Sequence, residues 1–273
     1  MNQSRGVGLH IGLNRVDPGH YAGWEGQLTA CEADARDMLA ITSGRGFKSS
    51  TLFTSEATSA AVISAISKAA GELETGDMFV VSYSGHGGQV PDVSGDEPDR
   101  RDETWVLFDR QLIDDELYEL WGKFKTGVRI LLLSDSCHSG SVARDAFYAA
   151  SPTNATYPDR FKFMPRATED ATYAAHKELY DALQAGSAGD RESVGASILL
   201  ISGCADSQTS RDGDRNGLFT EKLRAVWADG AFTGTYPTFY QAIGRLMPPD
   251  QTPAYFRTGK LDAAFEGQAP FTI

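Results

Sequence analysis

Short apolar runs separated by amphipathic stretches dominate the chain. Residues 5–13 (RGVGLHIGL), 77–83 (DMFVVSY), 128–134 (VRILLLS) and 195–202 (GASILLIS) read as strands. The last three are nearly continuous in Val, Ile, Leu and Phe, as strands buried on both faces of a parallel sheet are. Apolar residues recur at helical spacing over 29–42, 57–73, 113–124, 217–229 and 236–246. Thr29 with Glu32 three residues on has the spacing of a capping box, and Thr58 or Ser59 can cap the second helix. Strand alternating with helix predicts right-handed crossovers and an α/β fold: a three-layer α/β/α sandwich with a mostly parallel central sheet.

One stretch breaks this rhythm. About 60 residues, with three prolines, separate the strand ending near 134 from the one beginning near 195, and a connection this long is usually functional. A helix over 169–185 (EDATYAAHKELYDALQA) is expected inside it. The chain therefore reads as a single domain, 1–273, in two segments (1–140 and 194–273) joined by a cleavable connector, 141–193.

Composition narrows the function classes. The chain has 273 residues with 25 basic against 37 acidic ones, a net charge of −12. That balance argues against a nucleic-acid partner, because phosphate contacts depend on Lys and Arg. No run reaches the roughly 18 apolar residues of a membrane helix, so no membrane association is expected. The opening MNQSRGVGLHIG has no signal-peptide pattern, which predicts a cytoplasmic protein. Three widely spaced cysteines, Cys31, Cys137 and Cys204, fit reduced thiols rather than a disulfide framework.

Ligand sites of open α/β sheets lie beyond the carboxyl ends of the strands. Here one strand runs into Ser84-Gly85-His86-Gly87-Gly88 and another into Asp135-Ser136-Cys137-His138-Ser139-Gly140. Taken singly, His86 reads as a loop histidine and Cys137 as a small core residue. At neighbouring strand ends, among glycines that free backbone N–H groups, the pair fits thiol nucleophilic catalysis with an oxyanion site. His138 competes as the base, but its side chain should diverge from that of the adjacent Cys137 in extended chain. DGDRNG at 212–217 begins like a calcium-binding EF-hand loop, yet Leu223 stands where a glutamate is required; it reads as a loop flanking the cleft. Gly6 and Gly8 lie inside the first strand and carry no dinucleotide signature. Trp24, Trp105, Trp121 and Trp227 read as core or cleft wall.

SYSGHGG and LLSDSCHSGS, about fifty residues apart, closely resemble the caspase-like cysteine peptidases, and the metacaspases and prokaryotic orthocaspases in particular. Cys31-Glu-Ala-Asp34, LIDDEL at 112–117 and SGCADSQTS at 202–210 extend the resemblance along nearly the whole chain. It implies Cys137 as nucleophile, His86 as general base and acid, and an oxyanion hole from N–H groups of Gly87 and Cys137. It also maps the pocket for the residue before the cut (the S1 pocket) onto Cys31, Asp34, Ser84 and Asp135. Asp135 lies two residues before Cys137, on the same face of an extended chain, and a second carboxylate beside it would favour Arg or Lys over Asp. Peptide or protein substrates cut after Arg or Lys are thus expected, from a monomer as metacaspases generally are.

Metacaspases are commonly calcium-activated, and the resemblance places Ca²⁺ ligands at Asp102, Asp114 and Asp115, with Arg144 where a fourth aspartate is expected and Asp145 next to it. Carboxylate oxygens suit Ca²⁺, but Asp114 and Asp115 equally suit the first turn of a helix; no other cofactor is implied. An enzyme cutting after basic residues could process its own connector, and RFKFMPR at 160–166 offers Arg160, Lys162 and Arg166 beside a proline that disfavours helix. The alternatives are a catalytically idle caspase-like interaction scaffold and another thiol hydrolase with Asp34 and Asp135 in structural roles.

Overall fold

The structure, a computed structural model, describes residues 4–93, 95, 97, 99–137, 160–186, 194–205, 208 and 210–273. Six strands form the central sheet: β1 (Gly6–Gly12), β2 (Lys48–Phe53), β3 (Met78–Ser84), β7 (Arg129–Asp135), β9 (Ser197–Ser202) and β11 (Ala254–Gly259). Their order is β11-β9-β7-β3-β1-β2. All neighbours pair in parallel except β11, which runs antiparallel to β9 at one edge.

Alternate residues of the buried strands feed two cores. Phe79, Val81, Ile130, Leu132 and Ile198 pack with helices α2 (Ser59–Glu72) and α3 (Asp114–Gly122) through Val62, Ile66, Leu120 and Trp121. On the other face, Met78, Val80, Leu131, Leu133, Leu199 and Ile201 meet α1 (Cys31–Gly44), the helix Leu218–Trp227 and the helix Tyr236–Leu246, through Met38, Phe219, Leu223, Phe239 and Ile243. The two-sided apolar runs of the sequence are thus the signature of a sheet sandwiched between helices. Among the described residues, no helix is long and apolar enough to cross a membrane.

Thr58 caps α2 as expected, accepting the Ala61 N–H at 3.2 Å. Thr29 does not cap α1. Its N–H and hydroxyl both donate to Asp212, while Glu32 accepts from the Thr54 hydroxyl, so tertiary partners take both members of the expected box. The helix expected over 169–185 is two helices, Arg166–Ala175 and Lys177–Gly186. They break at His176, whose ring stacks on His20 with centroids 4.0 Å apart.

Seven of the described strands, β2, β11 and the five outside the central sheet, were invisible to apolar patterning. β2 is half polar, since Ser49 reaches Thr42 of α1 at 2.8 Å rather than a core. A separate three-stranded antiparallel sheet, β4 (Gly87–Pro91), β5 (Arg101–Val106) and β6 (Gln111–Ile113), grows directly from the glycines after His86. Two short strands, β8 (Arg160–Phe161) and β10 (Arg211–Asp212), pair antiparallel, bringing the connector alongside the segment after β9.

Candidate active site

Ser84 and Asp135 are partners in the register of β3 and β7. The segments that leave these strands therefore emerge side by side, and His86 and Cys137 arise at one sheet edge. His86 is anchored through Nε2, which donates to the Gly26 carbonyl at 2.9 Å. A carbonyl only accepts, so Nε2 carries the proton and the buried Nδ1 keeps its lone pair. The indole of Trp24 lies against the imidazole, ring centroids 4.7 Å apart. Burial lowers the pKa of His86 to about 4, with the Gly26 and Phe163 backbones opposing the shift and the Lys162 charge adding to it. The ring is therefore neutral near pH 7, the form a base requires.

Cys137 is fully buried. Its Sγ accepts the N–H of Ser210 and lies 3.3 Å from the thiol of Cys204. All three cysteines are buried thiols outside any disulfide among the described residues.

Asp34, Ser84 and Asp135 converge on one point, and Lys162 fills it. The lysine side chain is completely buried. Its Nζ lies 3.0 Å from Asp34 Oδ2, 3.0 Å from Asp135 Oδ2 and 2.9 Å from Ser84 Oγ. Burial alone would lower the pKa of this ammonium; Asp135 and Asp34 reverse the effect and hold it well above the usual lysine range. Burial, with Asp135 beside it, pushes Asp34 upward against the pull of Lys162. Cys31, at the start of α1, is buried with its thiol pushed up by burial, and it senses the charge of Lys162.

The backbone of Lys162 is held as firmly as its side chain. Its carbonyl accepts the N–H groups of Gly87 and Cys137, each at 3.0 Å, and its own N–H donates to Ser210 at 2.9 Å. Residues 160–162 thus add a short strand to the segment 210–212. Neither other basic candidate is in this position. Arg160 is paired with Asp212 within the β8–β10 ladder, and Arg166 begins a helix with its side chain 3.2 Å from Asp170.

Several residues of this site escaped the sequence reading. Asn216 Nδ2 and the Gly217 N–H both donate to Asp34 at 3.0 Å, and Thr220 donates to Asp135 at 3.1 Å. A side chain at Gly217 would collide with Lys162 and Asp135, so only glycine fits there. The DGDRNG stretch is therefore not simply a loop flanking the cleft; it builds part of the pocket. Gly26 was likewise unmarked, while Trp24 was read only as core or cleft wall and Cys204 and Ser210 only as part of the SGCADSQTS stretch.

Three of the four expected calcium ligands lie among the described residues. Asp102 is buried in β5, and Asp114 and Asp115 open α3. Glu103 and Asp114 line one cavity together with Thr104 and Trp105. Among the described residues no group of three or more His, Cys, Asp or Glu could hold a metal ion. Arg144, Asp145 and His138 lie outside the described residues.

Comparison with known proteins gives the family and the fold. A caspase domain model (Peptidase_C14) matches residues 16–263. Metacaspase-1A of Aspergillus fumigatus is 29% identical over 263 residues, covering 81% of this chain and 59% of the relative. Metacaspase-1 of Saccharomyces cerevisiae is 30% identical over 243 residues, covering 77% and 55% respectively. The chain thus spans little more than half the length of these curated relatives. Among solved structures, protein GSU0716 from Geobacter sulfurreducens is 55% identical with a TM-score of 0.90 over 98% of both chains. Caspase-1 from Spodoptera frugiperda, only 11% identical, shares the fold with a TM-score of 0.54, covering 94% of this chain and 86% of that one. On the family match and the strand-end Cys and His together, the chain belongs to the caspase-domain family of cysteine peptidases.

Proposed function

We propose that the chain is a cysteine endopeptidase that cuts after Lys or Arg, and that its own Lys162–Phe163 bond is one of its substrates. One observation carries this: the ammonium of Lys162 sits between Asp34 and Asp135 while its carbonyl accepts from the Gly87 and Cys137 N–H groups. A basic side chain in the acidic pocket and a carbonyl in the anion-stabilising cradle are the two requirements of a substrate residue before the cut.

His86 Nδ1 takes the thiol proton of Cys137, and the sulfur attacks the carbonyl carbon. The oxygen gains negative charge where two N–H groups already point at it, so little reorganisation is needed. The C–N bond breaks, His86 gives its proton to the departing amine, and a thioester remains on Cys137. Water, deprotonated by the same imidazole, then releases the acid. Asp34, Asp135 and Ser84 contribute by binding the basic side chain and so fixing the carbonyl. An Asp side chain in that pocket would meet two carboxylates.

The test is hydrolysis of fluorogenic peptides ending in Lys, Arg or Asp by wild type and by Cys137→Ala. Turnover of Lys and Arg peptides by wild type alone is expected. Faster cleavage of the Asp peptide would overturn the specificity, and turnover by Cys137→Ala would overturn the nucleophile. Silence from folded wild type would favour the idle scaffold.

A further inference from the structure

We infer that the enzyme also reads the second residue after the cut, through an apolar pocket formed by Val16, Tyr21 and Val106 with Trp24 packed against it. This rests on the cleavage reading above and extends it to the far side of the scissile bond. In the bound segment that second residue is Met164, only 2% exposed and clustered with these four side chains.

Two features make this a recognition site rather than an incidental contact. The first is a backbone clamp. Gly87 N–H donates to the Lys162 carbonyl at 3.0 Å, and Gly87 C=O accepts the Met164 N–H at 2.8 Å. Any peptide gripped at the Lys162 carbonyl can make the second bond too, whatever its sequence, and its next side chain is delivered to the same place.

The second is that the walls are held without Met164. Val16 N–H donates to the Glu25 carbonyl at 2.9 Å and Val106 N–H to the His86 carbonyl at 3.0 Å. The Tyr21 hydroxyl donates to the Leu107 carbonyl at 2.6 Å, which leaves its ring as the pocket surface. A pocket braced by its own backbone persists when the segment is exchanged for another peptide. The four side chains that wall it are all uncharged. The substrates it fits are peptides with Lys or Arg, then any residue, then Met, Leu or another large unbranched or γ-branched apolar side chain. An acidic residue there would be desolvated without a partner. Trp24 also leans on the His86 ring, so the indole that walls this pocket borders the catalytic imidazole.

The experiment uses internally quenched peptides Arg-Phe-Lys-Phe-X-Pro with X = Met, Leu, Ala or Asp, beside a Lys-ended coumarin amide that stops at the cut. With wild type, kcat/KM for X = Met should exceed that for Ala by roughly tenfold, the scale of burying a methionine side chain, and Leu should lie near Met. X = Asp should fall at least about tenfold below Ala. The Met-to-Ala ratio within Val16→Phe, which fills the pocket, should approach one; a within-enzyme ratio is immune to any general loss of activity. Equal cleavage of all four peptides alongside the amide overturns this inference and leaves the proposed function standing. An undiminished ratio in Val16→Phe overturns the assignment of the pocket. No cleavage of any substrate overturns the underlying reading and this one with it.

Discussion

The ammonium of Lys162 lies 3.0 Å from the carboxylate of Asp135, and both side chains are buried. With Asp34 on the other side, the fold holds one positive charge between two carboxylates, away from water. Removing a partner from a buried pair strands the charge that remains. Lys162→Met should therefore lower stability by about 3–5 kcal/mol, measured by denaturant unfolding. Asp34 would then carry a raised pKa beside Asp135, so the folded state would bind more protons than the unfolded one. The defect should shrink as pH falls from 7.5 towards 5, and adding Asp34→Asn should restore part of the loss. A Lys162→Met protein as stable as wild type at pH 7.5 would show that the pair is not buried as described.

The pocket carboxylates should govern catalysis as well as stability. In Asp135→Asn, kcat/KM for a Lys-ended peptide should fall at least about thirtyfold, the lower range for unpairing a buried charge. Loss confined to KM would mean uniform binding, whereas loss in kcat would mean that the side chain also fixes the carbonyl. An unaltered kcat/KM would remove Asp135 from the pocket.

Acid should destabilise the protein through its buried histidines. His86 falls to about 4 and His10, fully buried between Ser82 and Thr42, to about 3, both by desolvation. Below about 6.5 the unfolded chain takes up protons that these folded rings refuse. Stability is then complete above pH 6.5 and is lost as pH falls towards 4, by up to about 3 kcal/mol for His86 alone. Thermal melts of wild type from pH 7.5 to 4.5 should show the decline. His86→Gln should flatten it; an identical slope would mean that His86 titrates normally.

Gly26 is a positioning residue for the imidazole. It adopts φ of +52°, its carbonyl holds His86 Nε2, and any side chain there would meet the Trp24 ring. Gly26→Val should lower kcat by about a hundredfold, the scale of a small misplacement at a reacting centre, with KM less affected. The acidic limb of the kcat profile should shift as well. A normal kcat with a normal pH profile would exclude the role.

The strand ends carrying His86 and Cys137 were legible because the long apolar runs before them set both the sheet and the polarity of its edge. Lys162 was legible only as one of three basic residues in RFKFMPR; nothing local distinguishes it from Arg160 or Arg166. The choice among them comes from Ser210, Gly87 and Cys137, which hold its backbone from distant parts of the chain. Asn216, Gly217 and Thr220 were hidden for the same reason, since they touch Asp34 and Asp135 about 85 to 180 residues away. Two-residue strands such as β8 and β10 are too short for alternation to register. The capping box at Thr29 shows the reverse failure, a correct local spacing overruled by Asp212.

Self-cleavage is tested most directly by the intact mass of purified wild type, Cys137→Ala and Lys162→Met, with the new amino terminus sequenced. Wild type should divide between Lys162 and Phe163, giving a fragment that begins Phe163-Met164, while Cys137→Ala stays whole and Lys162→Met is not cut at this bond. Cleavage after Arg160 or Arg166 instead, or the same cut in Cys137→Ala, would contradict the assignment of Lys162 and Cys137.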